Sequence, residues 1–136
     1  MLVDARGVPL SIVVTGANRH DVTQIKAVLD ERFVCQKEAQ IENLCADAGY
    51  VGQEAERTMR ESGYVPHVRS RGEEKKDKAN NPGFRARRWV VEACHSWLNR
   101  FRKLLVRYEK KVSSHLALCH LACAIIALRK AGIIYG

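Results

Sequence analysis

Nowhere does the sequence stay apolar for the roughly 18 residues that a bilayer crossing requires. Its most apolar run, Leu116 to Leu128, covers 13 residues and is interrupted by His120. The opening residues, MLVDARG, lack a basic region followed by an apolar core, so no secretion signal is expected. The five cysteines are odd in number and form no CxxC pair, which makes reduced thiols the expectation. A soluble intracellular protein follows from these absences. Acid is also missing from one end of the chain. Residues 84–136 hold 11 Lys and Arg against Glu92 and Glu109 alone, a net of +9, whereas residues 1–83 hold 12 against 13, a net of −1. Positive charge segregated in this way suits a polyanionic partner, most often nucleic acid; a merely solvated basic face is the plainer alternative.

What is present fits one α/β domain over residues 1–136. Residues 2–4 and 9–15 are β-rich and flank DARGV, which reads as a hairpin. Asp21 with Gln24 three residues on resembles a capping box for a helix to about Arg32. A strand is predicted over Ile41–Ala46, a helix over residues 52–62 with Gly63 as its stop, and a strand over Tyr64–Arg69. The strand–helix–strand unit should place its two strands side by side in a mixed sheet. Residues 70–83, SRGEEKKDKANNPG, lack bulky apolar side chains and read as a mobile loop. No Gly or Pro occurs from Phe84 to Lys110, so one long helix is predicted there. Val90, Cys94, Trp97, Phe101, Leu104 and Tyr108 form its apolar stripe. A last helix, about Ser114–Ala131, is apolar on nearly every face and should be buried or packed on a partner chain.

Two carboxylates stand out by position. Asp47 ends a predicted strand, where open α/β sheets place their sites; it also suits a helix N-cap or turn. Glu92 lies on the long helix opposite the apolar stripe, among Arg85, Arg88, Ser96, Asn99 and Lys103. It could be a plain ion-pair partner of Arg88. Alternatively, carboxylates brought together from a strand tip and a helix repel unless a divalent cation joins them. Two such ions promote phosphoryl transfer, and cations on the same helix face would hold a phosphodiester backbone.

The segments VDARGVPLSIVVTGANRHD, CADAGYVG and RRWVVEACHSWLNRFRKLLVRYEKK resemble the DDE-type transposases of bacterial insertion sequences, over residues 2 to about 130. The resemblance implies a ribonuclease-H-like fold, a mixed sheet flanked by helices and here incomplete at its N-terminus. It implies that Asp47 and Glu92 are catalytic metal ligands, the second Asp and the Glu of a triad, holding Mg²⁺ or Mn²⁺. Arg88 matches the family's arginine four residues before the Glu, and Arg100, or else Asn99, the basic position about two turns after it. Arg88, Arg100 and Lys103 are then expected on DNA phosphate, with Ser96 and Asn99 helping to position DNA. The implied activity is transposition: cleavage at transposon ends and joining of the freed 3′-OH to target DNA in the bacterial cytoplasm.

The chain departs from that pattern in three places. The family's first catalytic Asp lies on a strand before residue 1, and Asp4 does not take its role. The chain resembles the downstream half of a frameshifted transposase, or a decayed copy. The expected partners are therefore double-stranded DNA together with further copies or an upstream half. Arg85 stands where relatives often have tyrosine, and Ala93-Cys94 where many have Arg-Thr. A catalytically inactive DNA-binding or oligomerising remnant is the alternative function, and a stand-alone metal nuclease of the same fold is a third. Among other candidates, His115, Cys119, His120 and Cys123 sit among Leu, Ala and Ile and read as buried small residues rather than a metal cluster. Trp97 reads as core; Trp89 is the better candidate for stacking on a base.

Overall fold

The segment DARGV closes a hairpin between β1 (Leu2–Val3) and β2 (Pro9–Ser11), which pair antiparallel. Asp4 organises the turn: its Oδ1 accepts the backbone N–H of Arg6 and of Val8, each at 2.8 Å. Gly7 sits at φ +82°, a left-handed conformation that favours glycine. A Cβ there would also lie 3.2 Å from the Trp97 ring. The computed structural model describes residues 1–16, 18–33, 41–80 and 88–134.

After the hairpin comes a short 3-10 turn, Asp21–Gln24, and then α1 (Ile25–Asp30). The predicted capping box does not form. The N-cap is His20, and its carbonyl accepts the Thr23 hydroxyl, to which Gln24 in turn donates. Next come β3 (Glu42–Ala46), α2 (Gln53–Glu61) and β4 (Tyr64–Val68). As predicted, β3 and β4 lie side by side and parallel, from Glu42 opposite Tyr64 to Ala46 opposite Val68. Gly63, at φ +85°, ends α2. Arg32, just beyond α1, fastens the start of both strands: it pairs with Glu42 at 3.4 Å, donates to the Tyr64 hydroxyl and lies over the Tyr64 ring. Leu2, Leu29, Ala55, Met59 and Tyr64 form one apolar cluster, into which Leu44 and Ala46 of β3 also pack.

Three expectations are corrected. A single mixed sheet was predicted, whereas the described residues form two separate two-stranded sheets, β1–β2 and β3–β4. Each pair carries its own unpaired backbone edges. Residues 70–83 are not all loop: α3 spans Arg71–Asn80, while 81–83 lie outside the described residues. The reason is a capping box. Ser70 N–H donates to Glu73 Oε2 at 3.0 Å, and Glu73 N–H donates to Ser70 Oγ at 3.4 Å. Those bonds hold the Glu73 carboxyl below its usual range. A run rich in Glu and Lys then propagates the helix.

The long helix from Phe84 to Lys110 is also broken. The structure has α4 (Arg88–Leu98), a turn, and α5 (Arg102–Leu105), with 84–87 outside the described residues. Arg100 and Phe101 donate to carbonyls three residues back, at 3.2 and 3.0 Å, which tightens and ends α4. The break has a packing cause. It brings Phe101 and Leu104 against Leu98, Ala122, Cys123 and Ile126, where a straight helix would carry them past. Tyr108, predicted in the apolar stripe, is 72% exposed because the chain is no longer in register with α4. The last helix, α6 (Val112–Lys130), forms as predicted. By length and composition alone α6 could cross a membrane. Here one face of it packs on α4 and α5, and the opposite face, Ala117, Leu121, Ala124 and Leu128, is exposed.

Met59 is fully buried between α2 and the strands. Met59→Ala should lower unfolding stability by about 2–5 kcal/mol, read from the denaturant midpoint. The thiols give a second test. Burial pushes Cys94 and Cys119 above the ordinary thiol range and Cys123 up to about 11, so all three stay protonated at pH 8. Cys45 is exposed. Iodoacetamide at pH 8 should alkylate Cys45 and spare Cys94, Cys119 and Cys123 until denaturant is added, as peptide mass mapping would read.

Candidate active site

Strand β3 delivers Asp47 to its tip because Leu44 and Ala46 turn into the core while Asn43 and Cys45 face outward. The chain then turns at once into a 3-10 turn, Ala48–Tyr50. Asp47 is its N-cap: Oδ1 accepts the Gly49 N–H at 2.7 Å. Glycine suits position 49, since a Cβ there would lie 3.0 Å from that same oxygen. The cap reading of Asp47 therefore holds. It does not exclude chemistry, because the side chain as a whole is exposed at the strand tip.

A second acid lies close by, and sequence reading missed it. Tyr50 is half-buried, and its phenol is pushed up by burial and then by the negative charges of Asp21 and Asp47. The two 3-10 turns lie against each other, so Asp21 and Asp47 act on the same phenol although 26 residues separate them in the chain. The amino terminus belongs to the same neighbourhood. Burial pulls the Met1 ammonium down, and the charge of Asp21 partly offsets this. Met1 also reaches α4, its Sδ lying 3.9 Å from Cys94 Sγ. No local motif marks Asp21 as a neighbour of Asp47; only the folding of the 3-10 turn beside the β3 tip does so.

Glu92 is on α4. Val90, Cys94 and Leu98 form the buried face of that helix, and Glu92 is exposed, as its position on the wheel predicts. Arg88 opens the same helix one turn earlier. Trp89 is 57% exposed, whereas Trp97 packs on the hairpin turn at Gly7. Asn99 and Arg100 are exposed in the turn after α4, and Lys103 is exposed on α5. The helix break therefore removes Asn99 and Lys103 from the continuous face they were expected to share with Glu92. Arg85 lies outside the described residues.

Asp47 and Glu92 carry the hard oxygen donors that Mg²⁺ or Mn²⁺ requires. Among the described residues, however, no hydrogen bond or ion pair joins them, and no three His, Cys, Asp or Glu side chains converge to hold a metal ion. Among the described residues the donor set does not make up a complete hard-ion site. His115, Cys119, His120 and Cys123 likewise form no such cluster, and Cys119 and Cys123 are buried.

The structural and chemical roles of Asp47 can be separated. Asp47→Asn keeps an oxygen for the Gly49 N–H and removes the charge, so the melting temperature should stay within about 2 °C of the parent. Asp47→Ala loses the cap and should destabilise by about 1 kcal/mol. Thermal denaturation of both variants checks this.

Comparison with known proteins gives the lineage. Residues 1–127 match the family model described as Transposase DDE domain. The chain is 34% identical over 131 residues to the protein assigned as the transposase of insertion sequence element IS402 in Burkholderia cepacia. That match covers 93% of this chain and 60% of the relative, so the chain spans less than two thirds of the relative's length. No solved structure matches. By the family-model match the chain belongs to the transposase DDE domain family.

Proposed function

We propose that this chain serves DNA transposition as one partial catalytic domain, supplying Asp47 and Glu92 on a ribonuclease-H-like scaffold. The observation that carries this reading is the family match over residues 1–127, which includes both carboxylates. Their placement supports it: one at a strand tip, the other on the outer face of a helix, both open to solvent. The surrounding cations support duplex DNA as the partner. Arg100 and Lys103 are exposed, and they belong to the segment that holds the whole positive excess.

A ribonuclease-H-like sheet would need the antiparallel pair and the parallel pair joined. A strand between them, from an upstream segment or a partner chain, would meet the open edges of β1–β2 and β3–β4. The same strand would bring a third carboxylate, as the family resemblance implies. Mg²⁺ or Mn²⁺ held by the completed set would supply Lewis-acid chemistry to phosphoryl transfer. The chain's own residues bind the phosphodiester and present two of the acids. Because the described residues do not gather a metal-holding set, a second reading is kept: a non-catalytic DNA-binding or oligomerising member of the family.

A supercoiled plasmid with Mg²⁺ or Mn²⁺ tests the first reading against the second. Nicking by the chain completed with an upstream segment that supplies the joining strand and its carboxylate, lost when Glu92→Ala or Asp47→Asn is made in that completed chain, is the expected result of the first. Salt-sensitive binding without nicking by any of them would sink catalysis by this chain and leave the second.

A further inference from the structure

The segment between α5 and α6 is built like a contact loop and has no role in the site above. Val106 leaves α5 in an extended conformation, at φ −122° and ψ 117°. Arg107 Nε then donates to the Glu109 carbonyl at 3.2 Å, so the two neighbours of Tyr108 in the chain are tied to each other. Tyr108 stands out at 72% exposure. Arg107, Lys110 and Lys111 around it are exposed as well.

Glu109 is the one acid in residues 93–136, and it does not neutralise that surface. It turns inward. Its side chain is 17% exposed and its Oε2 lies 3.9 Å from His115 Nδ1, whose side chain is 13% exposed. His115 Nε2 in turn lies 3.7 Å from Cys119 Sγ. The acid thus turns toward α6, where its Oε2 and His115 Nδ1 are buried without a hydrogen-bond partner among the described residues, and the outer surface of the loop is left cationic around one aromatic ring. An aromatic ring raised among cations suits nucleic acid: the cations hold phosphates and the ring takes the face of a base. Bases inside a duplex have no free face, so the ligand must offer unpaired nucleotides.

We propose that Tyr108 stacks on an unpaired base of DNA, with Arg107, Lys110 and Lys111 on the flanking phosphates and Glu109 turned away from them toward α6. The proposal rests on the DNA reading above and adds to it a preference for single-stranded or frayed substrate.

The test uses the full chain and two labelled probes, a single-stranded oligonucleotide carrying 2-aminopurine and a blunt duplex of the same sequence. Anisotropy reads affinity, and 2-aminopurine quenching reads stacking. The parent should bind both probes at low salt and quench the single strand. Tyr108→Ala should lose quenching and weaken single-strand binding by about tenfold, with duplex binding unchanged. Tyr108→Phe should behave as the parent, which excludes misfolding as the cause. Lys110→Gln with Lys111→Gln should make the salt dependence shallower for both probes. Quenching and affinity that survive in Tyr108→Ala, beside intact duplex binding, would overturn this inference alone. Absence of binding to either probe by the parent would overturn the DNA reading and this inference together. Loss of binding to phosphatidylserine vesicles in Tyr108→Ala, with DNA binding unaltered, would assign the loop to a membrane surface and also overturn it.

Discussion

Trp97 is the contact on which the arrangement of this molecule turns. Its ring lies against Gly7, where any side chain would crowd it, and Lys130 Nζ sits over the ring at 4.2 Å from its centroid. One side chain therefore joins the hairpin turn, α4 and the end of α6. A cation over a tryptophan face is attracted by the ring quadrupole, worth about 0.5–1 kcal/mol at exposed sites and more when desolvated. The larger effect is geometric. With Val90 and Trp97 both against Gly7, the buried face of α4 is fixed, and Glu92 must face outward. The hairpin in turn owes its shape to Asp4, whose carboxylate is committed to two backbone N–H groups. An aspartate used in this way is a structural residue.

The same constraint explains the break after Leu98. Once α4 is seated, burial of Phe101 and Leu104 on α6 demands a change of direction, and no glycine or proline is needed to supply it. Apolar burial of two large side chains outweighs the few tenths of a kcal/mol per residue that separate good from fair helix formers. The basic segment is thereby split in two. Arg88 stays with Glu92 on α4, while the cations from Arg100 onward are carried to the far side of the turn.

These two cases mark what could be read from the residues. DARGV announced its turn because Asp and Gly have local reasons to be there, and Gly63 marked the end of α2 for a similar one. The pairing of β3 with β4 followed from a single short crossover. The sites flanking Asp47 and Glu92 were legible as a strand tip and an outward helix position. Ser70 and Glu73 carry a capping signal, which the absence of apolar residues after it hides. The break at Asn99–Phe101, the separation of the two sheets and the approach of Asp21 to Tyr50 have no local signature. Each depends on what a distant element packs against.

The bare face of α6, Ala117, Leu121, Ala124 and Leu128, gains meaning from the net charge of +8. An uncovered apolar strip favours contact between copies, and like charge opposes it. A bound polyanion cancels the repulsion without touching the strip. On the DNA reading proposed above, copies that share one DNA molecule would meet with that repulsion reduced. Nucleic acid would set the state of assembly as well as the place of action, with no conformational change required.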